Sequence, residues 1–371
     1  MLGIDFGTST TYVAESSPGA LPTVVPVGES TAWMPSIVAR RDGRLLAGED
    51  AWRAGPQAEI SSAKRAITLR QQELMSPSGD AVSADEAIGA MLRELAGRAK
   101  LEGLVIDDPG AVRFGCPAMW DGRQRHRLLD LATDAGFAVG LSTLVDEPVA
   151  AGLTWVNDEV RKGNYIDGER VLVFDMGGGT LDVSVLDVQA GPGEPLVLHV
   201  QASEGRPEAG DALDTTMAGD LLELLASAGA YRSEDRDRVM EDYARRTARD
   251  AKVALSSVRS TPIGIDDRRI AHTQLSYARE QLDEVFAPQL LRAWDLLASA
   301  MRSAELTASS ESTSELRATD PALLADKVDH LVFAGGMSHV PAVHEFLAGR
   351  FPNATRHFVA PDEAVVLGLA Q

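Results

Sequence analysis

The sequence has one cysteine, few aromatic residues and a deficit of basic residues. Cys116 is the only cysteine, so an intrachain disulfide is excluded and we expect a reducing, cytoplasmic setting. There are 35 basic and 55 acidic residues, which give a net charge of -20. Because nucleic acids and anionic membranes attract basic surfaces, we expect neither to be a main partner.

Long apolar runs are also missing. No uncharged stretch approaches the roughly 20 residues that a membrane-spanning helix needs. The residues after Met1 pass directly into a strand pattern, so we expect no secretory signal. With 371 residues, of which 44% are hydrophobic, the chain is long enough for two domains or lobes of a soluble globular protein.

The stretch VLVFDMGGGTLD, residues 171 to 182, organises the rest of the chain. An apolar run predicts a buried strand, Asp175 stands where that strand ends, and Gly177 to Gly179 form a turn without side chains. Thr180 and Asp182 lead into a second strand. A carboxylate beside a glycine turn suits a phosphate chain that carries a divalent cation. A hairpin with a glycine turn and no ligand is the alternative on these residues alone.

The same pattern occurs near the start of the chain, in LGIDFGTSTTYVA. An offset of 170 residues pairs Asp5 with Asp175, Gly7 with Gly177, Thr10 with Thr180 and Val13 with Val183. Four identities at one offset predict two related lobes whose turns grip a polyphosphate from both sides. Chance similarity of two hairpins is the alternative.

Periodicity predicts the remaining elements. We expect helices over about 85–98, after Pro117 and over most of 211–258, and strands over 104–116, 196–202 and 331–334. Small residues over 147–152 predict close packing between lobes, and Ser338 is predicted to cap a helix. Residues 304–320, rich in Ser, Thr and Glu, are expected to form a mobile loop or frayed helix end. Spacing alone predicts that Lys64 is a surface lysine. It leaves two interpretations of Lys252 and Ser256, which either contact a ligand together or are a solvated pair.

Six motifs in this order resemble one family. GIDFGTS, AKR, DEPVAAG, VFDMGGGTLDVS, AGGMSHVP and PDEAVVLG together resemble the ATPase domain of the 70-kDa heat-shock chaperone (DnaK) family, nearly from end to end. The resemblance implies an α/β, actin-like ATPase fold of two related lobes, each with a mixed sheet and flanking helices, and a nucleotide cleft between them. Lobe I would comprise a core (1–34 and 98–167) and an insertion (35–97), and lobe II a core (168–205 and 283–371) and an insertion (206–282), with no substrate-binding domain.

The resemblance also implies the residues of the site. The catalytic set would be Lys64, which orients the attacking water, with Glu147, Asp175, Thr180 and Asp182. Asp5 and Asp175 would hold a hydrated Mg²⁺. The residues expected to bind ATP or ADP are Asp5, Gly7, Thr8, Ser9, Thr10, Gly177, Gly178, Gly179, Thr180, Gly210, Lys252, Ser256, Gly335, Gly336, Met337, His339 and Asp362, and K⁺ is a further candidate ion. Pro117 and Arg125 match a pair thought to pass the nucleotide state to a partner domain.

Three features depart from the family pattern. His339 and Val253 stand where arginines would flank the adenine, so we expect weaker ATP binding than in a typical member, which calorimetry would test. The loop before Leu331 is longer than expected. The sequence stops at Gln371, where the family continues through an apolar linker, so it is either a truncated chain or a short homologue.

The function implied is a chaperone-type ATPase that hydrolyses ATP slowly to drive a conformational switch. Candidate protein partners are an exchange factor, a co-chaperone or a client. Two alternatives stay open: an interaction module that binds nucleotide with little turnover, and a small-molecule kinase of the same fold.

Overall fold

The structure is a computed structural model. It describes residues 1–55, 57–191, 195–232, 234, 236–265, 270, 275–308, 313–358 and 360–371, without the side chains of 308 and 313. The strands of this part of the chain are β1 (Leu2–Phe6), β2 (Thr10–Glu15), β3 (Thr23–Val25), β4 (Met34–Pro35), β5 (Ile37–Arg41), β6 (Arg44–Ala47), β7 (Glu59–Ser61), β8 (Glu73–Met75), β9 (Ala81–Ser83), β10 (Val112–Cys116), β11 (Leu144–Asp146), β12 (Arg170–Met176), β13 (Leu181–Gln189), β14 (Val197–Arg206), β15 (Ser260–Ile263), β16 (Leu275–Ala278), β17 (His330–Ala334) and β18 (Thr355–Phe358).

Helices cover these sheets. They are α1 (Glu49–Arg53), α2 (Ala63–Thr68), α3 (Ala84–Leu101), α4 (Gly122–Asp134), α5 (Glu147–Lys162), α6 (Gly210–Ser227), α7 (Arg238–Leu255), α8 (Arg279–Ala308), α9 (Thr313–Ala318), α10 (Pro321–Ala325), α11 (Pro341–Ala348) and α12 (Ala364–Leu369). Single 3₁₀ turns lie at Leu141–Thr143 and Gly336–His339. No helix in the described ranges is long and apolar enough to cross a membrane.

Two mixed sheets form the centres of the two lobes. In lobe I the strand order is β11-β10-β1-β2-β3, with β4 also paired to β2, and in lobe II it is β14-β13-β12-β17-β18. Each sheet contains one of the related hairpins: β1 with β2, and β12 with β13, both antiparallel. On the far side of β1 and of β12 the neighbouring strand is parallel. The apolar runs of β1 and β12 are buried because helices or sheets pack on both faces.

Smaller sheets lie in the predicted insertions. β5, β6 and β7 form one sheet and β8 with β9 another, both within 35–97, while β15 pairs with β16 within 206–282. Helix α3 runs through the predicted limit at 97/98, and α8 through that at 282/283, without a break. The predicted limits of the lobes and insertions therefore do not coincide with the ends of these two helices, and they stay predictions.

Helix α5 joins the two lobes through small residues. A Cβ added at Gly152 would lie 2.5 Å from Leu186 Cδ1 of β13, and one added at Gly368 of α12 would lie 1.8 Å from the Ala150 carbonyl oxygen. At Gly368 the neighbouring atoms are backbone, so this contact requires glycine, whereas at Gly152 the Leu186 side chain would have to move. The close packing predicted for 147–152 is present, and it links α5 to both lobe II and α12.

Three local predictions differ from the structure. Only Val112–Cys116 of the predicted strand 104–116 is a strand, because Asp107, Asp108 and Gly110 favour a turn before it. The Ser338 hydroxyl donates to the Ala334 carbonyl at 2.6 Å and caps no helix, since a 3₁₀ turn intervenes before α11. Within 304–320, α8 continues to Ala308 and α9 follows, so much of this stretch is helical; residues 309–312 lie outside the described residues.

Candidate active site

The turns of the two hairpins face one another across the gap between the lobes. A Cβ added at Gly179 would lie 2.6 Å from Thr8 Oγ1, and one added at Gly178 would lie 2.7 Å from Ser9 Oγ. The second turn can come this close only because its residues have no side chains. The two facing turns that the internal repeat predicts are therefore present in the fold.

A cavity of about 350 Å³ opens between the turns. It brings together every predicted site residue except Asp182 and His339. Its predicted lining residues are Asp5, Gly7, Thr8, Ser9, Thr10, Lys64, Glu147, Asp175, Gly177, Gly178, Gly179, Thr180, Gly210, Lys252, Ser256, Gly335, Gly336, Met337 and Asp362.

Lys64 is buried, which differs from the surface position that its spacing alone suggested. It lies in α2, and the preceding Ser62 takes a left-handed φ of 59°. The Ser62 hydroxyl donates to Asp211 of the opposite lobe at 2.7 Å, a contact that supports this strained residue. Lys64 Nζ then meets Glu147 Oε1 at 2.5 Å, with both side chains at least nine-tenths buried. The lysine thus enters the cavity from α2, within the predicted insertion 35–97.

Four carboxylates surround this one ammonium group. They are Asp5, Glu147, Asp175 and Asp182. Burial, followed by the charge of Glu147, raises the pKa of Asp5 and of Asp182 to about 7. The same two causes raise the pKa of Asp175 well above its ordinary value. Burial lowers the pKa of Lys64, but Glu147 and Asp5 outweigh it, so the net shift is upward and the lysine stays charged.

The excess of carboxylates fits a divalent cation held largely by water and phosphate. No cluster of three or more metal-ligating side chains occurs among the described residues. Asp5 and Asp175 nevertheless line the same cavity from opposite lobes. The single ammonium group of Lys64 does not balance the negative charge of the carboxylates around it. Mg²⁺ keeps several water ligands and binds through one or two carboxylates plus phosphates. The donor set is therefore compatible with the predicted hydrated Mg²⁺.

Asp182 lies just behind the lining. It is directly opposite Asp175 across β12 and β13, and it is buried with 1% exposure. Its Oδ1 accepts a hydrogen bond from the backbone of Ala118 in lobe I at 2.8 Å. Asp182 thus connects the second turn to the residue after Pro117, while Arg125 nearby pairs with Asp146 at 2.6 Å. The role predicted for Pro117 and Arg125 stays a prediction.

The far end of the cavity is formed by α7 and by the double glycine, Gly335 and Gly336. Lys252 Nζ lies 2.6 Å from Asp214 Oδ1 and donates to the Gly210 carbonyl at 3.2 Å. Ser256 shares this face of α7 and also lines the cavity. Val253 lines the cavity too, with 64% of its surface exposed.

His339 does not line the cavity. Its Nε2 is 2.9 Å from Asp362 Oδ2, and both side chains are about half exposed. It therefore lies behind Asp362, which does line the cavity, and its predicted contact with nucleotide stays untested.

Six lining residues were not predicted. They are Tyr12, Trp33, Arg249, Val340, Pro361 and Val365. Two of them, Tyr12 and Arg249, could have been predicted from the sequence. The offset of 170 that pairs the hairpins also pairs Tyr12 with Asp182, and Arg249 precedes Lys252 by one helical turn on the same face. The other four depend on packing between distant segments.

The fold is two-lobed and belongs to the actin-like ATPase class. Residues 74–371 match the family described as Hsp70 protein, and the chain belongs to that family. The resemblance and the fold class predicted from the motifs are thereby confirmed.

Curated relatives cover the whole chain at low identity. "Chaperone protein DnaK" of Cenarchaeum symbiosum (strain A) is 27% identical over 383 residues, covering 100% of this chain and 53% of the relative. "Chaperone protein DnaK" of Thermotoga petrophila is 27% identical over 378 residues, and that of Thermosipho melanesiensis 29% over 375, each covering 100% of this chain and 58% of the relative. The chain spans little more than half the length of these relatives.

The raised carboxyl pKa values predict how stability depends on pH. Because Asp5 and Asp182 titrate near 7 in the fold and near 3.8 when unfolded, their contribution to stability is complete below about 3.8 and is lost as the pH rises through about 7. We expect Asp5→Asn to reduce the fall in melting temperature between pH 5.5 and 8.5 in ligand-free protein. Parallel pH profiles for the wild type and this variant would contradict the assignment.

Proposed function

We propose that this chain binds Mg-ATP between its lobes, hydrolyses it slowly and uses the change of nucleotide to alter how the lobes are arranged. The observation that carries the proposal is the pair of facing turns around one cavity, with Lys64 and the carboxylates at its base. Phosphoryl transfer to water requires positioning and charge neutralisation more than covalent chemistry. This constellation offers both.

Each part of the cavity has a distinct task in this proposal. The hydroxyls of Thr8, Ser9 and Thr10 and the backbone N–H groups of 177–180 would bind phosphate oxygens. Lys64 would orient the attacking water and offset negative charge on the terminal phosphate, while Glu147 holds the ammonium in place. A bound Mg²⁺, carried through water by Asp5 and Asp175, would neutralise further phosphate charge, and K⁺ is a second candidate ion.

The far end would receive the nucleoside. Lys252, Ser256, Gly210 and the double glycine with Met337 would form its walls. Val253 and His339 offer no guanidinium plane to the base, so the expectation of weaker ATP binding stands. Arg249 lines the same end of the cavity as Lys252 and is a second cation there, which was not predicted from the sequence.

A role in protein folding follows by analogy with the relatives, which are named as chaperones. We propose a client protein, a co-chaperone and an exchange factor as the classes of partner, in the cytoplasm. The chain spans little more than half of those relatives, so these partners come to it by analogy alone.

Two measurements on the purified chain test the proposal. Calorimetry with ATP and ADP in Mg²⁺ measures binding, and single-turnover assays with labelled ATP measure hydrolysis. We expect both nucleotides to bind and ATP to be cleaved slowly, with cleavage abolished by a chelator. Binding without turnover, with or without candidate partners, would favour the interaction module. Turnover that depends on an added metabolite would favour the kinase, and no binding at all would refute all three.

A further inference from the structure

Tyr12 occupies in the first hairpin the place that Asp182 occupies in the second. In the register of β1 and β2, Tyr12 is directly opposite Asp5, and in the register of β12 and β13, Asp182 is directly opposite Asp175. Side chains of such cross-strand pairs project from the same face and lie next to one another. The first hairpin thus places the Tyr12 phenol beside the Asp5 carboxylate, whereas the second hairpin places another acid beside Asp175.

The ring of Tyr12 packs against apolar residues at the edge of the cavity. Tyr12 is 8% exposed and packs with Ala14, Val366 and Ala370, between β2 and α12. The residue lines the cavity together with Thr10, which lies two positions earlier on the same face of β2. No hydrogen bond joins the phenol to any residue that the structure describes. The hydroxyl is not among the fully buried unpaired atoms of these residues, so it keeps access to the cavity that Tyr12 lines, where a ligand can supply a partner.

The surroundings of the phenol keep it a hydrogen-bond donor. Burial, and then the nearby carboxylates of Asp362, Glu363 and Asp5, raise its pKa above the ordinary value for tyrosine. The hydroxyl therefore keeps its proton at neutral pH. A neutral donor at this position also avoids a further negative charge in a cavity that already has an excess of acids.

We propose that the Tyr12 hydroxyl donates a hydrogen bond to the phosphate chain of the bound nucleotide. This inference rests on the proposed function, because it assumes that a nucleotide occupies the cavity. Two positions favour the phosphates over the base. Asp5, opposite Tyr12, belongs to the strand that leads into the first turn, and Thr10 begins the strand that leaves it. The nucleoside end instead involves α7 of lobe II, where Lys252 and Ser256 lie.

The variant Tyr12→Phe removes the hydroxyl and keeps the packed ring. Calorimetry should compare ATP, ADP and adenosine for the wild type, for this variant and for Tyr165→Phe, which makes the same change at a residue that is 71% exposed and outside the cavity lining. A hydrogen bond to a charged acceptor predicts that Tyr12→Phe binds ATP and ADP about tenfold more weakly or worse. Adenosine should bind all three proteins alike, and Tyr165→Phe should match the wild type throughout.

Other outcomes separate this inference from the proposed function. If the wild type binds neither ATP nor ADP, both fail. If the wild type binds them and Tyr12→Phe binds them equally well, or loses affinity for adenosine to the same extent, the phosphate contact is refuted and the proposed function stands. Melting temperatures show whether each variant is folded. Should Tyr12→Phe be unstable, Tyr12→Leu gives the same test, since it also lacks the hydroxyl and fills the apolar site.

Discussion

Replacement of Lys64 by alanine should lower the rate of ATP hydrolysis by on the order of 10³-fold while ATP still binds. Lys64 is the cation that faces the cavity floor, buried and paired with Glu147 at 2.5 Å. Its charge matters most when negative charge shifts on the transferred phosphoryl group, because a buried, fixed ammonium needs no reorganisation at that moment. ATP binding depends on the turns, the metal and the nucleoside end as well, so most of it should remain.

The control variants separate loss of this charge from damage to the fold. Lys100→Ala removes a lysine from the exposed face of α3 and should leave turnover unchanged. Glu147→Gln keeps the shape of the partner and removes its charge, so Lys64 loses its ion pair but stays present; we expect a smaller loss than with Lys64→Ala. Single-turnover rates and calorimetry measure the two quantities. Turnover that survives in Lys64→Ala would contradict the catalytic role, and loss of ATP binding would assign Lys64 to binding instead.

The hairpins and most of the cavity could be predicted because they depend on local sequence. An apolar run, an acid and glycines specify a strand and a turn within a few residues, and the repeat at an offset of 170 indicates that two such units are related. The resemblance then supplied Lys64, which periodicity alone had assigned to the surface. Its burial depends on Glu147 and on the support of Ser62 by Asp211, contacts between residues 83 and 149 positions apart. No local pattern encodes such contacts.

The two predicted site residues that do not line the cavity also depend on contacts between distant segments. The resemblance implied Asp182 and His339; Asp182 accepts a hydrogen bond from the backbone of Ala118 and His339 pairs with Asp362, and the roles of both stay predictions. Tyr12 could have been found by including the unlike residues between Thr10 and Val13 in the internal comparison. Identities reveal a duplication, whereas a difference at a matched position, Tyr12 against Asp182, leads to the contact proposed for Tyr12.

The second large effect should come from Gly368→Ala, at a residue of α12 that does not line the cavity. A Cβ at this position would lie 1.8 Å from the Ala150 carbonyl oxygen and 2.5 Å from its carbon, so α12 and α5 would have to separate. These are backbone atoms, and no side-chain rotation relieves the clash. Overpacking of this kind costs about 1–3 kcal/mol or more, against a gain of about 1 kcal/mol from replacing a helical glycine. We expect a net loss of unfolding free energy, measured in urea, of about 2 kcal/mol.

Two other helical glycines provide matched controls. Gly97 in α3 and Gly219 in α6 have no atom within 4 Å of an added Cβ, so Gly97→Ala and Gly219→Ala should leave stability unchanged or raise it by up to about 1 kcal/mol. If Gly368→Ala behaves like these two, the helices are not in the contact described.

Gly368→Ala should also affect ATP turnover, because α5 begins at Glu147 and an added Cβ at Gly115 would meet both Glu147 and Leu369 of α12. A shift of α12 would therefore change the packing next to Glu147, the carboxylate that pairs with Lys64. Slower ATP turnover by the folded fraction of Gly368→Ala would show that the contact between α5 and α12 affects hydrolysis.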